Sequence, residues 1–349
     1  MNNNWQNQFS RDASLLAHLV DLPSDQVLIS HLSEEDYRKS SFLDQRIITP
    51  QLQRQFVPWD ALSKVQLPPA PSPHYIFHIG HVGSTLISRL LGEMEGLLAL
   101  REPQILRNIC EVWKTIDEPH SFWPPERFST RFQQAIGWLS RGFRSDQRVM
   151  IKASSFVNEI ATQLLLPQSK ALFLYVPLQR YIPTILAGEA SMQETLVMAG
   201  ARLQRLNNIL GGQPINLWEL PPTHRVALSW LSELATLLNA KKALPESDIL
   251  WMNFDHFLSG PIGQLQNLAV HFNLPLSSSQ ATQLVSGPIM SSYSKAPEHD
   301  YSASLREELL AEASQNHAAP IRSAMLWIGQ LADQHPLVAE ILELTEKRR

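Results

Sequence analysis

Residues 80–85 read GHVGST, two glycines followed by two adjacent hydroxyl side chains. That combination suits an oxyanion. Gly80 and Gly83 permit backbone angles that other residues avoid, and they let an anion approach the chain closely. Ser84 and Thr85 open a stretch with helical spacing, and the first N–H groups of a helix lack internal partners and carry partial positive charge. Their hydroxyls add two further donors, so the run reads as a cradle for a phosphate or sulfate group. An ordinary glycine turn capping a helix is the plainer reading; the strand before the turn and the helix after it favour the cradle. Lys152 closes a mostly apolar run, RVMIKA at residues 148–153. An ammonium is poorly tolerated in a buried strand unless it reaches an anion or an open cleft, the alternative being a lysine that snorkels to the surface. Arg180 opens a helix after an apolar strand, where its guanidinium fork can hold a phosphate bidentately or form a surface ion pair.

The loop is not a Walker A motif. That motif has four residues between its glycines and a lysine before the Ser/Thr, whereas two residues separate Gly80 from Gly83 and no lysine is present. Magnesium-dependent NTP hydrolysis also wants an acidic residue at a strand end. The most apolar strand runs into Val176, Pro177 and Leu178, which offer none. The twelve histidines show no metal-ligand spacing such as HExxH, so no metal is assigned. The single cysteine, Cys110, excludes an intrachain disulfide and a multi-cysteine zinc site. Its neighbours Leu106, Ile109, Val112 and Trp113 look like one helix face, which makes it a buried structural thiol rather than a nucleophile.

These residues need a scaffold, and the patterning supplies one. Residues 1–70 read as a helical extension of short helices and polar turns, closed by a proline-rich linker at residues 68–73. Prolines neither continue a helix nor donate to a sheet, so the linker marks a boundary to an α/β core over residues 71–300. Residues 74–79 (HYIFHI), 148–153, 171–176 (ALFLYV) and 248–253 (DILWMN) are strand candidates. Helical stretches at 127–143, 155–166, 192–210 and 222–242 lie between them, and another starts near Pro177. Strands alternating with helices predict a parallel sheet covered on both faces. Residues 301–349 read as C-terminal helices packed on the core.

The chain has 349 residues, 44% of them hydrophobic, enough for one large core. A net charge of −4, with 29 Lys+Arg against 33 Asp+Glu, gives no general attraction to nucleic acid or anionic membrane. No apolar stretch reaches the roughly 18 residues of a membrane span, and the N-terminus lacks a signal-peptide pattern. A cytoplasmic location is expected.

In five segments, and in the family's order, the sequence resembles the sulfotransferases, which transfer a sulfuryl group from PAPS (3′-phosphoadenylyl sulfate). Residues 81–85 (HVGST) resemble the 5′-phosphosulfate loop. Leu100-Arg101-Glu102-Pro103 lies where carbohydrate- and tyrosine-type members carry a glutamate general base. Residues 151–155 (IKASS) resemble the lysine-bearing strand end of that branch, and residues 173–188 (FLYVPLQRYIPTILAG) its 3′-phosphate segment. Residues 249–276 resemble the family's late strand–helix block. The resemblance implies a three-layer P-loop NTPase/sulfotransferase-like α/β fold. It also implies in-line sulfuryl transfer to a hydroxyl or amine on a small-molecule or carbohydrate acceptor. Gly80, Gly83, Ser84 and Thr85 would then hold the 5′-phosphosulfate and Arg180 the 3′-phosphate, without a metal.

On that resemblance His81 lies near the bridging oxygen, where a protonated imidazole stabilises developing charge. Hydrogen bonding within the loop is the equal alternative. Glu102 would accept the acceptor's proton; its competing role is a surface carboxylate at a helix start. Lys152 would contact the transferred sulfonate. Two positions depart from the family pattern. His81 stands where a basic residue is usual, and Gly188 stands eight residues after Arg180 in place of a serine. Thr184 and Ser191 are candidates to replace that serine. Residues 1–70, with Trp113, Phe122 and Trp123, are candidates to shape the acceptor pocket. The alternatives are a catalytically silent nucleotide- or anion-binding protein on the same fold and a kinase-like nucleotide-dependent transferase.

Overall fold

The structure, a computed structural model, describes residues 5–291 and 302–347. The N-terminal region departs from the helical expectation. After α1 (Trp5–Arg11) the chain forms an antiparallel sheet of β1 (Leu15–Asp21), β2 (Gln26–His31) and β3 (Arg54–Pro58), with α2 (Glu34–Lys39) before β3 and α3 (Trp59–Ser63) after it. The leucines of β1 have a spacing that suits a helix equally well. Pairing with β2 decides the matter, and Asp25 at φ 56° makes the reversal between them. The register slips between Ala17 and Leu19. His18, at the slip, is buried and bonded to the Ser30 hydroxyl (2.9 Å) and the Asp44 carbonyl (3.1 Å).

Beyond the proline linker come β4 (His74–His78), α4 (Ser84–Gly92), β5 (Leu97–Arg101), α5 (Gln104–Lys114), α6 (Pro125–Leu139) and β6 (Arg148–Lys152). The expected helix over 155–166 is instead a 3₁₀ segment, Ser155–Ile160, followed by the single turn α7 (Ala161–Leu164). Then follow β7 (Ala171–Tyr175), α8 (Leu178–Leu186), α9 (Glu189–Leu210), α10 (Pro222–Lys242), β8 (Ile249–Asn253), α11 (Phe254–Ser259), α12 (Pro261–Phe272) and α13 (Ser278–Val285). From Ser302 onward the described chain is helical, as its apolar spacing predicts: α14 (Ala303–Asn316), α15 (Ala318–Gln334) and α16 (Pro336–Lys347).

The five core strands form an all-parallel sheet in the order β5-β6-β4-β7-β8. Strands β4, β5 and β7 are buried at every residue, as strands covered on both faces must be. The chain leaves β4 to one side for β5 and later crosses to the other side for β7. The C-terminal end of β4 is therefore the switch point, where a crevice opens at the sheet edge. β5 was not a strand candidate in the sequence. LLALR has no β-branched residue, and its length alone does not separate strand from buried helix.

The N-terminal unit shares one apolar core with the rest. Arg101, 1% exposed, anchors it: its guanidinium donates to the carbonyls of Tyr37 and Ser40, both at 2.8 Å. Among the described residues no helix is long and apolar enough to cross a membrane.

His74 opens β4 fully buried. Its Nδ1 accepts the Lys170 N–H (2.9 Å), and the Arg148 guanidinium lies 3.1 Å from Nε2. Burial, reinforced by Arg148, pushes its pKa down to about 3. The unfolded chain takes up a proton below the ordinary histidine value that the folded chain refuses. Stability is therefore lost as pH falls through the window from about 6.5 toward 3. Between pH 7.5 and 5, wild type should lose about 2 kcal/mol more than His74→Asn in urea unfolding. Equal losses in the two proteins would remove His74 from the account.

Candidate functional site

The turn after β4 is conformationally costly. Gly80 (φ 84°), His81 (φ 54°) and Gly83 (φ 72°) all lie in the left-handed region, which a histidine enters only under constraint. The surroundings supply the constraint. The Ile79 carbonyl accepts from the Tyr181 hydroxyl (3.2 Å), the His78 carbonyl from Asn158 Nδ2 (3.0 Å), and the Gly80 N–H donates to His78 Nδ1 (3.0 Å). Gly83 is the N-cap of α4 and brings no side-chain cap, so the N–H groups that open the helix stay available to a ligand. The Thr85 hydroxyl is buried without a hydrogen-bond partner among the described residues. A cluster of donors thus lines the switch-point crevice.

Glu102 follows β5 in a left-handed conformation (φ 54°). Its N–H donates to the Lys152 carbonyl (2.7 Å). Leu43 holds the residues on either side, its N–H on the Arg101 carbonyl (2.6 Å) and its carbonyl on the Gln104 N–H (3.0 Å). The sequence places Glu102 at a helix start; the structure puts it one residue before the cap Pro103, pinned by two other segments. Lys152 ends β6 with 1% exposure and donates to the Glu102 carboxylate. It is no snorkelling surface lysine. Arg46 lies 3.7 Å from the same carboxylate and stacks 3.3 Å from the Phe42 ring centroid.

On the other flank His81 meets α9, with Nδ1 3.2 Å from the Ser191 hydroxyl and Nε2 3.5 Å from Glu194. Thr184 lines the same pocket, its hydroxyl donating to the Arg180 carbonyl (2.7 Å). Arg180 itself takes the second of the two arrangements the sequence allows, an ion pair. Its guanidinium is taken up by Asp255 (3.0 Å) and by both oxygens of Glu307, and it is not among the pocket-lining residues. Arg306, 2.8 Å from Asp255 and 5.5 Å over the Phe254 ring, lines the wall on that side.

One pocket of about 940 Å³ joins these groups. Gly80, His81, Gly83, Ser84, Thr85, Glu102 and Lys152 all line it, whereas Arg180 does not. Sequence reasoning missed Arg46, Asp44 and Phe42, which arrive from the N-terminal unit, and Arg306, which arrives from the C-terminal helices. Only contacts between distant segments bring these to the pocket, and no local pattern marks them. Of the expected pocket-shaping segments, the N-terminal one contributes; Trp113, Phe122 and Trp123 do not line the pocket, and Trp123 packs on Trp59 at 5.2 Å. Cys110 is buried, and burial pushes its thiol up to about 12, which leaves it a structural thiol as expected. Among the described residues no three His, Cys, Asp or Glu side chains are grouped so as to hold a metal ion.

No family profile matches the chain, and no curated protein matches it in sequence. Among solved structures it is similar to the sulfotransferase domain from the curacin biosynthetic pathway, at 12% identity over 72% of this chain and 99% of that one, with a TM-score of 0.44. It is similar also to the sulfotransferase from Alicyclobacillus acidocaldarius (12% identity, 72% and 95% covered, TM-score 0.36). A third is mouse sulfotransferase SULT7A1 complexed with PAP (8% identity, 62% and 64% covered, TM-score 0.33). The likeness is one of overall fold and assigns no role to any residue.

The two loop glycines are not equivalent. A Cβ on Gly83 would meet the Phe254 ring at 2.0 Å, whereas one on Gly80 meets nothing nearer than 3.9 Å. Gly80→Ala should cost about 1–2 kcal/mol for the backbone alone. Gly83→Ala should cost about 1–3 kcal/mol more, because the ring must move. Denaturant midpoints of the two variants compare them directly, and equal shifts would contradict the packing argument.

Proposed function

We propose that this chain is a PAPS-dependent sulfotransferase acting on a hydroxyl or amine of a small-molecule or carbohydrate acceptor. The observation that carries the reading is the convergence on one pocket of the α4 donor cluster, the Lys152 ammonium and the Glu102 carboxylate, delivered by three neighbouring strand ends. The donor set fits an anionic co-substrate: uncapped helix N–H groups, a buried hydroxyl on Thr85 that no described residue satisfies, and a buried ammonium. PAPS supplies the activated sulfuryl group, whose bond to the 5′-phosphate oxygen breaks as the acceptor atom bonds to sulfur.

Each residue then has a task. The loop from Gly80 to Thr85 holds the 5′-phosphosulfate through backbone and hydroxyl donors. Glu102 takes the proton leaving the acceptor, and its pinned backbone keeps the carboxylate at one place. Lys152 orients that carboxylate and sets its positive charge beside the sulfonate oxygens. His81, when protonated, stabilises charge on the bridging oxygen, with Ser191 and Glu194 setting its ring. Arg306, which lines the pocket where Arg180 does not, supplies the cation for the 3′-phosphate, exchanging its contacts with Asp255 and Glu307 for the phosphate oxygens.

A second reading, a nucleotide- or anion-binding protein without turnover, is favoured by the carboxylates against Arg180 and His81. Calorimetric titration with PAP, ATP and GTP, followed by turnover with PAPS, separates the two. PAP binding without ATP or GTP binding, together with sulfuryl transfer, is the expected result. Absence of PAP binding would overturn both the donor assignment and the enzyme reading. In the active protein Lys152→Met should lower kcat about 10²–10³-fold. Glu102→Gln should lower it about 10²–10⁴-fold while PAP affinity stays near wild type. Full turnover per folded molecule in either variant would make that residue structural.

A further inference from the structure

The pocket has two flanks. On the Glu102 side stand Phe42, Arg46, Lys152 and, from α5, Gln104 and Arg107. Gln104 and Arg107 are three residues apart, so they share a helix face one turn deep. The cations of the pocket are nearly all answered by carboxylates: Lys152 by Glu102, Arg46 by Asp44 and Glu102, Arg306 by Asp255 and Glu307. Arg107 is the exception. Among the described residues no carboxylate lies within 4 Å of it, and its contact is the Phe156 ring, 4.3 Å from the guanidinium carbon to the centroid. The backbone that carries the ring is held, since the Cys110 thiol donates to the Phe156 carbonyl (3.1 Å). Stacking on an aromatic face leaves the in-plane N–H fork of an arginine free, which is the geometry that binds a carboxylate or phosphate bidentately.

We infer that the acceptor carries an oxyanion, a carboxylate or a phosphate monoester, which Arg107 holds on the Glu102 side of the pocket. The inference rests on the sulfuryl-transfer reading and narrows its substrate class to hydroxy acids and hydroxyalkyl phosphates. Binding of the anion at Arg107 leaves the acceptor's hydroxyl to reach Glu102, which lines the same pocket.

The test is calorimetric and needs no turnover. The PAP-bound protein is titrated with aliphatic and phenolic hydroxy acids beside their methyl esters, and with glycerol 3-phosphate beside glycerol. The charged member of at least one pair should bind tenfold or more tightly than its neutral partner, and which pair does so tells carboxylate from phosphate. In Arg107→Ala that ratio should fall toward one, and Arg107→Lys should restore part of it. Arg107 is exposed, so the alanine variant should fold, and its melting temperature checks this. Equal affinity within every pair, no binding of any anion, or a ratio kept in Arg107→Ala overturns the inference. So does a comparable loss of PAP affinity in that variant, which would assign Arg107 to the nucleotide. If the charged acceptors bind as expected and none is sulfated, it is the enzyme reading that fails.

Discussion

The contact on which the site depends is the buried ion pair between Lys152 and Glu102. An ammonium removed from water at the end of a fully covered sheet is costly unless an anion meets it. Here the anion comes from the neighbouring strand's exit. That meeting requires β5 and β6 to be adjacent and in register, so that Arg101 pairs with Lys152 and the next residue can turn back. It also requires Glu102 to adopt a left-handed backbone that a glutamate would otherwise avoid. Leu43 and the Lys152 carbonyl hold it there. The pair is thus expensive in isolation and over-determined in context.

The same logic governs the loop after β4. Three left-handed residues lie within four positions, of which His81 alone is strained, and the loop holds its shape because side chains from other segments bond the carbonyls entering it. Asn158 also donates to Glu233 (3.0 Å), a fully buried carboxylate that Arg202 (3.0 Å) and Arg205 (2.8 Å) neutralise. The rigidity of the anion cradle therefore draws on helices α9 and α10, far from it in sequence. A donor cluster held in place before the ligand arrives loses little to reorganisation.

The N-terminal unit, which looks like an appendage when its sequence is read alone, is part of the pocket. Arg101 ties it to the sheet through two carbonyls, Leu43 brackets Glu102, and Phe42, Asp44 and Arg46 line the pocket. Its removal would take away both a support of Glu102 and part of the cavity lining.

The sequence by itself determined the α/β class, the strand–glycine turn–helix at residues 74–92, and the candidacy of Lys152. Each of these is local: a run of buried-type residues, two glycines at a turn, a charge where none is tolerated alone. Tertiary structure decided the rest. It made residues 15–58 a sheet, because pairing partners outvoted leucines whose spacing suited a helix equally well. It turned Arg180 away to Asp255 and Glu307 and set Arg306 on the pocket wall. Which carboxylate reaches which guanidinium depends on the packing of α8, α11 and α14, elements more than 100 residues apart at their extremes. No pattern within a single segment carries that information.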